Sequence, residues 1–333
     1  MKKALLNTLA LSVLLASGAQ AADLNPAVVF DMGGKFDRSF NQSVYDGMER
    51  FKGESGTNYR EFEVTNASQR EQAIRRFAQR GANPIISVGF AQAAAVDVVA
   101  GENPDVNITL IDMVVDKPNV QSVVFKEEEG SFLVGLLAAM KSETGTVSFV
   151  GGMDIPLIRK FACGYAQGAK YANPDVNVIS NMTGTTPSAW NDPAKGTELA
   201  VSQFDRGSDV VFAAAGGTGV GVYQAAADAG KYAIGVDSNQ NYLHPGTMLT
   251  SMVKRVDVAA YNSLKAMQDG TWQGGFQSLG LAEGGVDWAL DEHNAALITD
   301  EMKAAVDAAK QAIISGELSV HDYMSDNSCP ALD

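Results

Sequence analysis

The sequence predicts an α/β protein built from two doubly wound parallel sheets. Short apolar, β-rich runs alternate with helical patterns along the chain, and the runs fall into two series of five. Such alternation is typical of parallel strands covered by helices on both faces. The 333 residues include 46% hydrophobic and 19% charged residues. This length suits two domains of roughly 150 residues behind a short leader.

The leader is residues 1–22, which have the pattern of a secretory signal peptide. Two lysines precede a short apolar stretch, and A-Q-A at 19–21 suits cleavage near Ala21 or Ala22. The stretch is too short to span a bilayer. No cysteine follows it to carry a lipid anchor. We therefore expect an exported protein, free in a bacterial periplasm.

The strand-like runs also predict where the chain changes domain. The first series lies at 27–31, 59–64, 84–90, 107–114 and 121–125, and the second at 146–152, 176–180, 209–216, 232–237 and 247–253. No low-complexity linker separates them, so we expect short joins near 125–126 and 252–253. The predicted lobes are 23–125 with 253–278, and 126–252 with 279–333, connected by a multi-strand hinge.

Charge and cysteine content narrow the class of partner. The net charge is −14, and it becomes −16 when the leader and its two lysines are removed. Such a surface repels nucleic acid and anionic lipid, so small molecules are the expected ligands. Cys163 and Cys329 are the two cysteines. In an oxidising compartment we favour one disulfide between them over two buried thiols.

Ligands of open parallel sheets collect at the carboxyl ends of the strands. Phe40 lies in such a position, within the polar run DRSFNQSVYDG at 37–47. Ser39 and Gln42 have capping-box spacing, which predicts a helix that begins at Ser39. Phe40 and Asn41 would then occupy the first helical turn and face a cleft. Packing of Phe40 on the sheet rim is the alternative, and its polar neighbours favour a ligand contact.

Other strand ends carry similar side chains. Asp112 and Asp237 each end an apolar run, and Lys254 lies beside the second join. Carboxylates accept hydrogen bonds from sugar hydroxyls, although loop solvation or helix capping explains either one equally well. Trp190, among turn residues, is either a stacking face or a surface plug. The acidic run at 127–129 is interpreted as a solvated helix start rather than a cation site.

No catalytic or cofactor-binding pattern is visible in the sequence. The three histidines lack metal-ligand spacing, and there is no G-x-S-x-G sequence. The glycines at 213–221 do not have the spacing of a dinucleotide site. We expect a binding protein that needs no metal and no cofactor.

Four segments together resemble one family. VVFDMGGKFDRSFNQSVYDGMERF, LIDMVVDKPNVQSVVFKEEEGSFLVGLLAAM, WNDPAKGTELA and GVDSNQ followed by TSMVKRVDVAA are similar to the basic-membrane-protein (BMP) family. This family includes the purine nucleoside receptors of bacterial ABC importers. The resemblance covers nearly the whole mature chain. It implies a type I periplasmic-binding-protein fold, a cleft that closes on its ligand, a monomer and a permease partner in the inner membrane.

The resemblance also implies a purine held between two aromatic side chains. Phe40 would supply one face, and Trp190 would replace the family's usual phenylalanine as the other. The other implied contacts are Asn41 and Asp112 at the base or its surroundings, Asp237 at the ribose hydroxyls with Lys254 nearby, the backbone of Gly216 and Gly217, and Asp31.

Departures from the family leave the ligand open. The lipid-bearing cysteine is missing, Trp190 enlarges one face, and Asn239 stands where the family more often has aspartate. A nucleoside, a free purine base and a related heterocycle all remain candidates. The alternative functions are a sugar-binding or sensing protein on the same fold and, less favoured, a periplasmic nucleosidase.

Overall fold

The structure is a computed structural model that describes residues 24–332, so the predicted signal peptide lies outside the described residues. The strands are β1 Ala27–Phe30, β2 Arg60–Glu63, β3 Ile85–Val88, β4 Ile108–Ile111, β5 Val120–Phe125, β6 Thr146–Met153, β7 Asn177–Gly184, β8 Val210–Ala214, β9 Tyr232–Asp237, β10 Met248–Lys254, β11 Gly275–Leu279 and β12 Val286–Trp288. The helices are α1 Phe40–Ser55, α2 Gln69–Gln79, α3 Ala93–Glu102, α4 Glu127–Lys141, α5 Pro156–Ala172, α6 Pro193–Asp205, α7 Gly219–Asp228, α8 Val256–Gln268 and α9 Asp300–Ser315.

The strands form two sheets, one in each lobe. The first has the order β11-β5-β4-β3-β1-β2, and the second has the order β12-β10-β9-β8-β6-β7. All pairs are parallel except β10 with β12. Helices pack on both faces of each sheet, and the inner strands β1, β3, β4, β8 and β9 are almost wholly buried. The predicted α/β class with two parallel-sheet lobes is confirmed.

Each sheet has six strands, one more than the sequence predicted. The additional strands, β11 and β12, lie at sheet edges, and residues Gly275–Gln277 of β11 are exposed. The chain passes between the sheets three times: after β5, after β10 and after β11. β10 continues to Lys254, so that lysine ends a strand of the second sheet. The next helix, α8, packs on α1 of the first lobe.

Helices α4 and α5 lie in close contact because glycines remove the side chains between them. A Cβ atom on Gly168 would lie 1.9 Å from the Phe132 carbonyl oxygen. One on Gly135 would lie 2.0 Å from the Tyr165 carbonyl oxygen. The atoms that a Cβ would meet belong to the helix backbone and cannot move aside without moving the helix. The glycines therefore set the distance between the two helices.

The C-terminal tail is fixed to α5 by covalent and polar contacts. A disulfide joins Cys163 to Cys329, with 5.6 Å between the Cα atoms. Nearby, the Gln167 amide exchanges two hydrogen bonds with the backbone of His321, at 2.8 and 3.0 Å. The tail therefore belongs to the second lobe. None of the described helices is long and apolar enough to cross a membrane.

The Gly168→Ala variant tests the helix contact. We expect its free energy of unfolding to fall by about 1–3 kcal/mol, because the added methyl group overpacks the contact between α4 and α5. The matched control is Gly53→Ala in α1, where a Cβ would meet nothing within 4 Å. That substitution should leave stability unchanged or raise it by up to ~1 kcal/mol. Urea unfolding followed by circular dichroism measures both, and equal effects would contradict the interpretation.

Candidate functional site

A cleft lies between the two lobes, at the carboxyl ends of strands from both sheets. It has about 610 Å³ of space not filled by atoms, counting its mouth, within the ~300–1,000 Å³ usual for small-molecule sites. The residues that line it are Asp31, Met32, Asp37, Phe40, Asn41, Gly89, Phe90, Asp112, Leu157, Ile158, Phe161, Trp190, Ala214, Gly216, Val236, Asp237 and Lys254.

Seven of the eight residues predicted as ligand contacts line this one cleft. The exception is Gly217, which lines an adjacent cavity, while its neighbour Gly216 lines the cleft itself. Sequence reasoning missed the aromatic side chains Phe90 and Phe161. Phe161 lies in the apolar stripe of α5, where nothing in the sequence distinguishes it from a core residue.

The order of strands gives the cleft two different ends. β4 and β1 are separated by β3, so Asp112 and Asp31, which follow them, are about two strand spacings, ~10 Å, apart. Lys254 of the second sheet contacts Asp112. Trp190 lies beside the loop after β1, because a Cβ on Gly33 would be 3.5 Å from its Cβ. We call the Asp112 side the hinge end and the Asp31 side the outer end.

At the hinge end, Lys254 is a buried cation between acidic partners. Its ammonium lies 2.7 Å from Asp112 and 2.8 Å from Glu127, and the residue is 1% exposed. Rings of three phenylalanines surround it: the centroid of Phe40 is 5.2 Å away, and those of Phe125 and Phe161 are 5.1 and 5.6 Å away. The ammonium is thus held by two carboxylates inside an aromatic cage.

The acidic run at the start of α4 is buried, so its interpretation as a solvated helix start was wrong. Glu127 and Glu128 are 1% and 6% exposed. Lys160 lies 3.1 Å from both carboxylates and 3.7 Å from Asp322 of the tail. Ion pairs with Lys160 and Lys254 compensate these carboxylates for the loss of contact with water. A continuous chain of charges therefore connects the cleft to the C-terminal tail.

Burial and these charges shift the pKa values at the hinge end. Burial raises the pKa of Asp112 to about 6 although the Lys254 charge opposes this. It also raises the pKa of Asp237 to about 6. Burial would raise the pKa of Glu127 too, but the charges of Lys254 and Lys160 hold it below its usual value. Burial would lower the pKa of Lys254, and its acidic partners raise it instead.

The helix that carries Phe40 is capped by Asp37, and the predicted capping box is wrong. The Asp37 carboxylate accepts hydrogen bonds from the backbone N–H groups of Ser39, Asn41 and Gln42 at 2.8, 3.0 and 3.1 Å. Burial raises the pKa of Asp37 to about 6 against these bonds. The Ser39 hydroxyl donates across the cleft to Asp237. Asp37 therefore caps the helix and frees Ser39 to link the lobes.

A second link between the lobes starts from Arg38. Its carbonyl oxygen accepts hydrogen bonds from the Gln240 amide at 2.7 Å and the Ser238 hydroxyl at 3.2 Å. Arg38 has a φ of 59°, in the left-handed region that non-glycine residues rarely adopt. This backbone conformation turns its carbonyl toward the second lobe.

At the outer end, Asp31 is fixed from several directions. The Arg70 guanidinium contacts its Oδ1 from Nε at 3.2 Å and from Nη2 at 2.9 Å. The Asn41 amide bonds the backbone N–H and carbonyl of Asp31 at 3.2 and 3.3 Å. Burial raises the pKa of Asp31 above its usual value, although the Arg70 charge opposes this shift. The Asn41 amide therefore holds the loop after β1, and its predicted contact with a base stays a prediction.

Trp190 is half-buried and lines the cleft. Its indole lies over Gly152 of β6, where a Cβ would be 2.1 Å from the Trp190 Cζ3 atom. The absent side chain makes room for a ring of this size. The loop position of Trp190 is also stabilised by Thr218, whose hydroxyl bonds the neighbouring Ala189 carbonyl and Asp192 N–H at 2.8 Å each.

ABC-transporter substrate-binding proteins have two α/β lobes around such a cleft, and the sequence assigns the chain to this class. Residues 25–323 match the family model Bmp, described as ABC transporter substrate-binding protein PnrA-like. The match spans most of the sequence, and the chain belongs to this family.

Known relatives agree with this assignment. The chain is 34% identical to the ABC transporter nucleoside-binding protein BmpA of Lactococcus lactis, over 91% of each chain. It is 35% identical to basic membrane protein D of Borreliella burgdorferi, over 77% of this chain and 76% of that one. A crystal structure of an ABC transporter solute-binding protein from Aeropyrum pernix superposes with a TM-score of 0.83 at 29% identity, covering 90% of this chain and 93% of that one.

The raised pKa of Asp237 predicts a pH-dependent stability. The folded protein binds this proton more tightly than the unfolded chain, so protonated Asp237 favours folding. Stability from this group is lost as the pH rises from the unfolded value of 3.8 to about 6. Asp237→Asn should remove on the order of 2–3 kcal/mol of that loss in the ligand-free protein.

Urea unfolding at pH 4.5 and pH 7.5 measures this effect. The stability difference between the two pH values should be smaller for Asp237→Asn than for the unsubstituted protein. Asp105→Asn, at an exposed aspartate, changes the charge equally and should leave the difference unaltered. Parallel pH profiles for the protein and Asp237→Asn would disprove the role of Asp237.

Proposed function

We propose that this protein binds a purine nucleoside in the interlobe cleft and delivers it to an ABC permease. The observation that carries the proposal is the lining of the cleft. Two aromatic side chains from different lobes, Phe40 and Trp190, share it with the buried carboxylates Asp112 and Asp237. The nucleoside-binding name of the L. lactis relative supports the same ligand class.

The aromatic side chains suit the base of a nucleoside. Stacking contributes about 1–3 kcal/mol per base. Phe40 begins α1 in the first lobe, and Trp190 follows β7 in the second. A base between them would complete both contacts only when the lobes are together, so the ligand would stabilise the closed form by its differential affinity.

The hinge end suits the ribose. Asp112 and Asp237 present acceptor oxygens, and ribose hydroxyls supply donors. The Ser39 hydroxyl already donates to Asp237 across the cleft. A ribose hydroxyl would join this contact or replace it.

The charge of the cleft favours a neutral ligand. Four carboxylates line it, at Asp31, Asp37, Asp112 and Asp237, and Lys254 is the lining cation. Lys254 is already paired with two carboxylates. A phosphate group would enter a region of negative potential in which no described lining residue is a free cation, so we infer a nucleoside rather than a nucleotide.

We further propose that the protein is exported to the periplasm, acts as a monomer and binds without catalysis. The signal-peptide pattern of residues 1–22 supports export. Incubation with inosine or adenosine, followed by chromatography for free base, tests the last point. Catalytic release of base would replace the binding function with a nucleosidase.

Phe40→Ala tests the stacking role. We expect the Kd for inosine to rise about 5- to 150-fold, the equivalent of one lost stacking face. The free energy of unfolding of the ligand-free protein should fall by only ~1 kcal/mol or less, because the ring is half-buried. Isothermal titration calorimetry and urea unfolding give the two values.

The matched control is Phe36→Ala, four residues earlier. Phe36 is 63% exposed and packs edge-to-face against Tyr45, and it does not line the cleft. Its removal should leave the Kd unchanged. A Phe40→Ala variant that loses stability but keeps its affinity would show that the ring only packs. Protection of the unsubstituted protein against heat by sugars, and not by purine nucleosides, would favour the sugar-binding alternative.

The charge argument predicts a preference against phosphate. Inosine 5′-monophosphate should bind at least about tenfold more weakly than inosine, because the phosphate adds negative charge beside buried carboxylates. Calorimetric titration at two salt concentrations measures the ratio. Equal affinities would show that the phosphate lies outside the cleft or meets a cation there.

A further inference from the structure

Arg70 is a charged residue at the cleft that the proposed function does not use. It lies in α2, and its guanidinium holds one oxygen of Asp31 through two nitrogen atoms, Nε and Nη2. Both side chains are nearly buried, at 12% exposure for Arg70 and 10% for Asp31. Nothing in the sequence pattern identified this pair, because the two residues are 39 positions apart.

Asp31 is held firmly in one orientation. Arg70 fixes its carboxylate, and Asn41 fixes its backbone. Gly89 leaves the space that the carboxylate occupies, since a Cβ there would be 2.8 Å from Oδ2. A carboxylate so constrained cannot turn to suit different ligands.

The two ends of the cleft suit different parts of a nucleoside. The hinge end contains the lysine and the two carboxylates best placed for hydroxyl groups. Trp190 and Asp31 lie at the outer end and line a side cavity together with Arg70 and the apolar residues Met32, Phe90, Ala91, Met153 and Pro187. The flat base is the part of the ligand that suits this aromatic and apolar end, and its edge would then meet Asp31.

We propose, on the basis of the nucleoside-binding function proposed above, that the Arg70–Asp31 pair selects 6-oxopurine nucleosides over adenosine. The guanidinium of Arg70, 2.9 Å from Asp31 Oδ1, favours the ionised form of this carboxylate, which only accepts hydrogen bonds. Guanine offers N1–H and an amino group on one edge, and hypoxanthine offers N1–H. Adenine offers its 6-amino group as a donor, but its N1 is an acceptor, which an ionised carboxylate would leave unpaired. Arg70 is thus a positioning residue that acts through Asp31.

Affinities for guanosine, inosine and adenosine test the proposal by calorimetry. The unsubstituted protein should bind guanosine and inosine at least about tenfold more tightly than adenosine, the effect of one mispaired buried acceptor.

Arg70→Met should lower this ratio to about one or reverse it. Without the cation, burial favours the protonated form of Asp31, which has a donor and an acceptor that match the amino group and N1 of adenine. The matched control, Arg75→Met on the same helix, removes only pairs with Glu71 and Glu102 and should keep the ratio.

Asp31→Asn tests the same preference while Arg70 is kept. It remains informative if Arg70→Met does not fold. The asparagine side chain has an NH2 group that donates and a carbonyl oxygen that accepts, so the preference should again shift toward adenosine. Equal loss of affinity for all three nucleosides in both variants would make the pair merely structural and overturn the proposal. No preference in the unsubstituted protein would also overturn it. Absence of binding to any of the three would overturn the nucleoside function itself, which is a distinct result.

Discussion

The buried ion pairs of Lys254 are the interaction on which the two-lobed arrangement depends. The lysine ends β10 of the second sheet, Asp112 follows β4 of the first, and Glu127 begins α4 directly after the first passage between lobes. Removing such charges from water costs several kcal/mol per ion unless close partners compensate. The hinge is therefore formed only when all three elements are in place. Two of these three charged residues, Asp112 and Lys254, also line the cleft.

Backbone strain is concentrated around the same cleft. Three of the four described non-glycine residues in the left-handed region lie there: Arg38, Asp112 and Asp237, with φ values of 59°, 73° and 64°. Each conformation costs about 1–3 kcal/mol and persists only where the surroundings enforce it. Asp112 and Asp237 use it to turn a carboxylate into the cleft, and Arg38 uses it to reach the second lobe. The strain lowers the stability of the fold at residues that line the cleft or form hydrogen bonds between the lobes.

The sequence predicted the parts of the molecule that depend on local patterns. Continuous apolar strands and the helices between them indicated both sheets, and residues at strand ends indicated the cleft. The edge strand β11 was missed because it is mostly exposed and lacks an apolar run. The role of Asp37 was missed because capping by an aspartate outside the helix and capping by Ser39 give similar patterns. Glu127 is buried because it pairs with Lys160 and Lys254. These lysines are far from Glu127 in the sequence, so no local pattern could predict its burial.

The three passages between lobes have a consequence for how the chain folds. β11 pairs with β5, with Gly275 opposite Gln121. The edge strand of the first sheet therefore comes from a segment that ends more than four-fifths of the way along the chain. Neither lobe is a continuous segment, and neither can be obtained by cutting the chain at one point. Contacts between distant segments form slowly because a long loop must close first. The first sheet is therefore complete only after residues near the end of the sequence have joined it. We expect both lobes to complete their folding late and together.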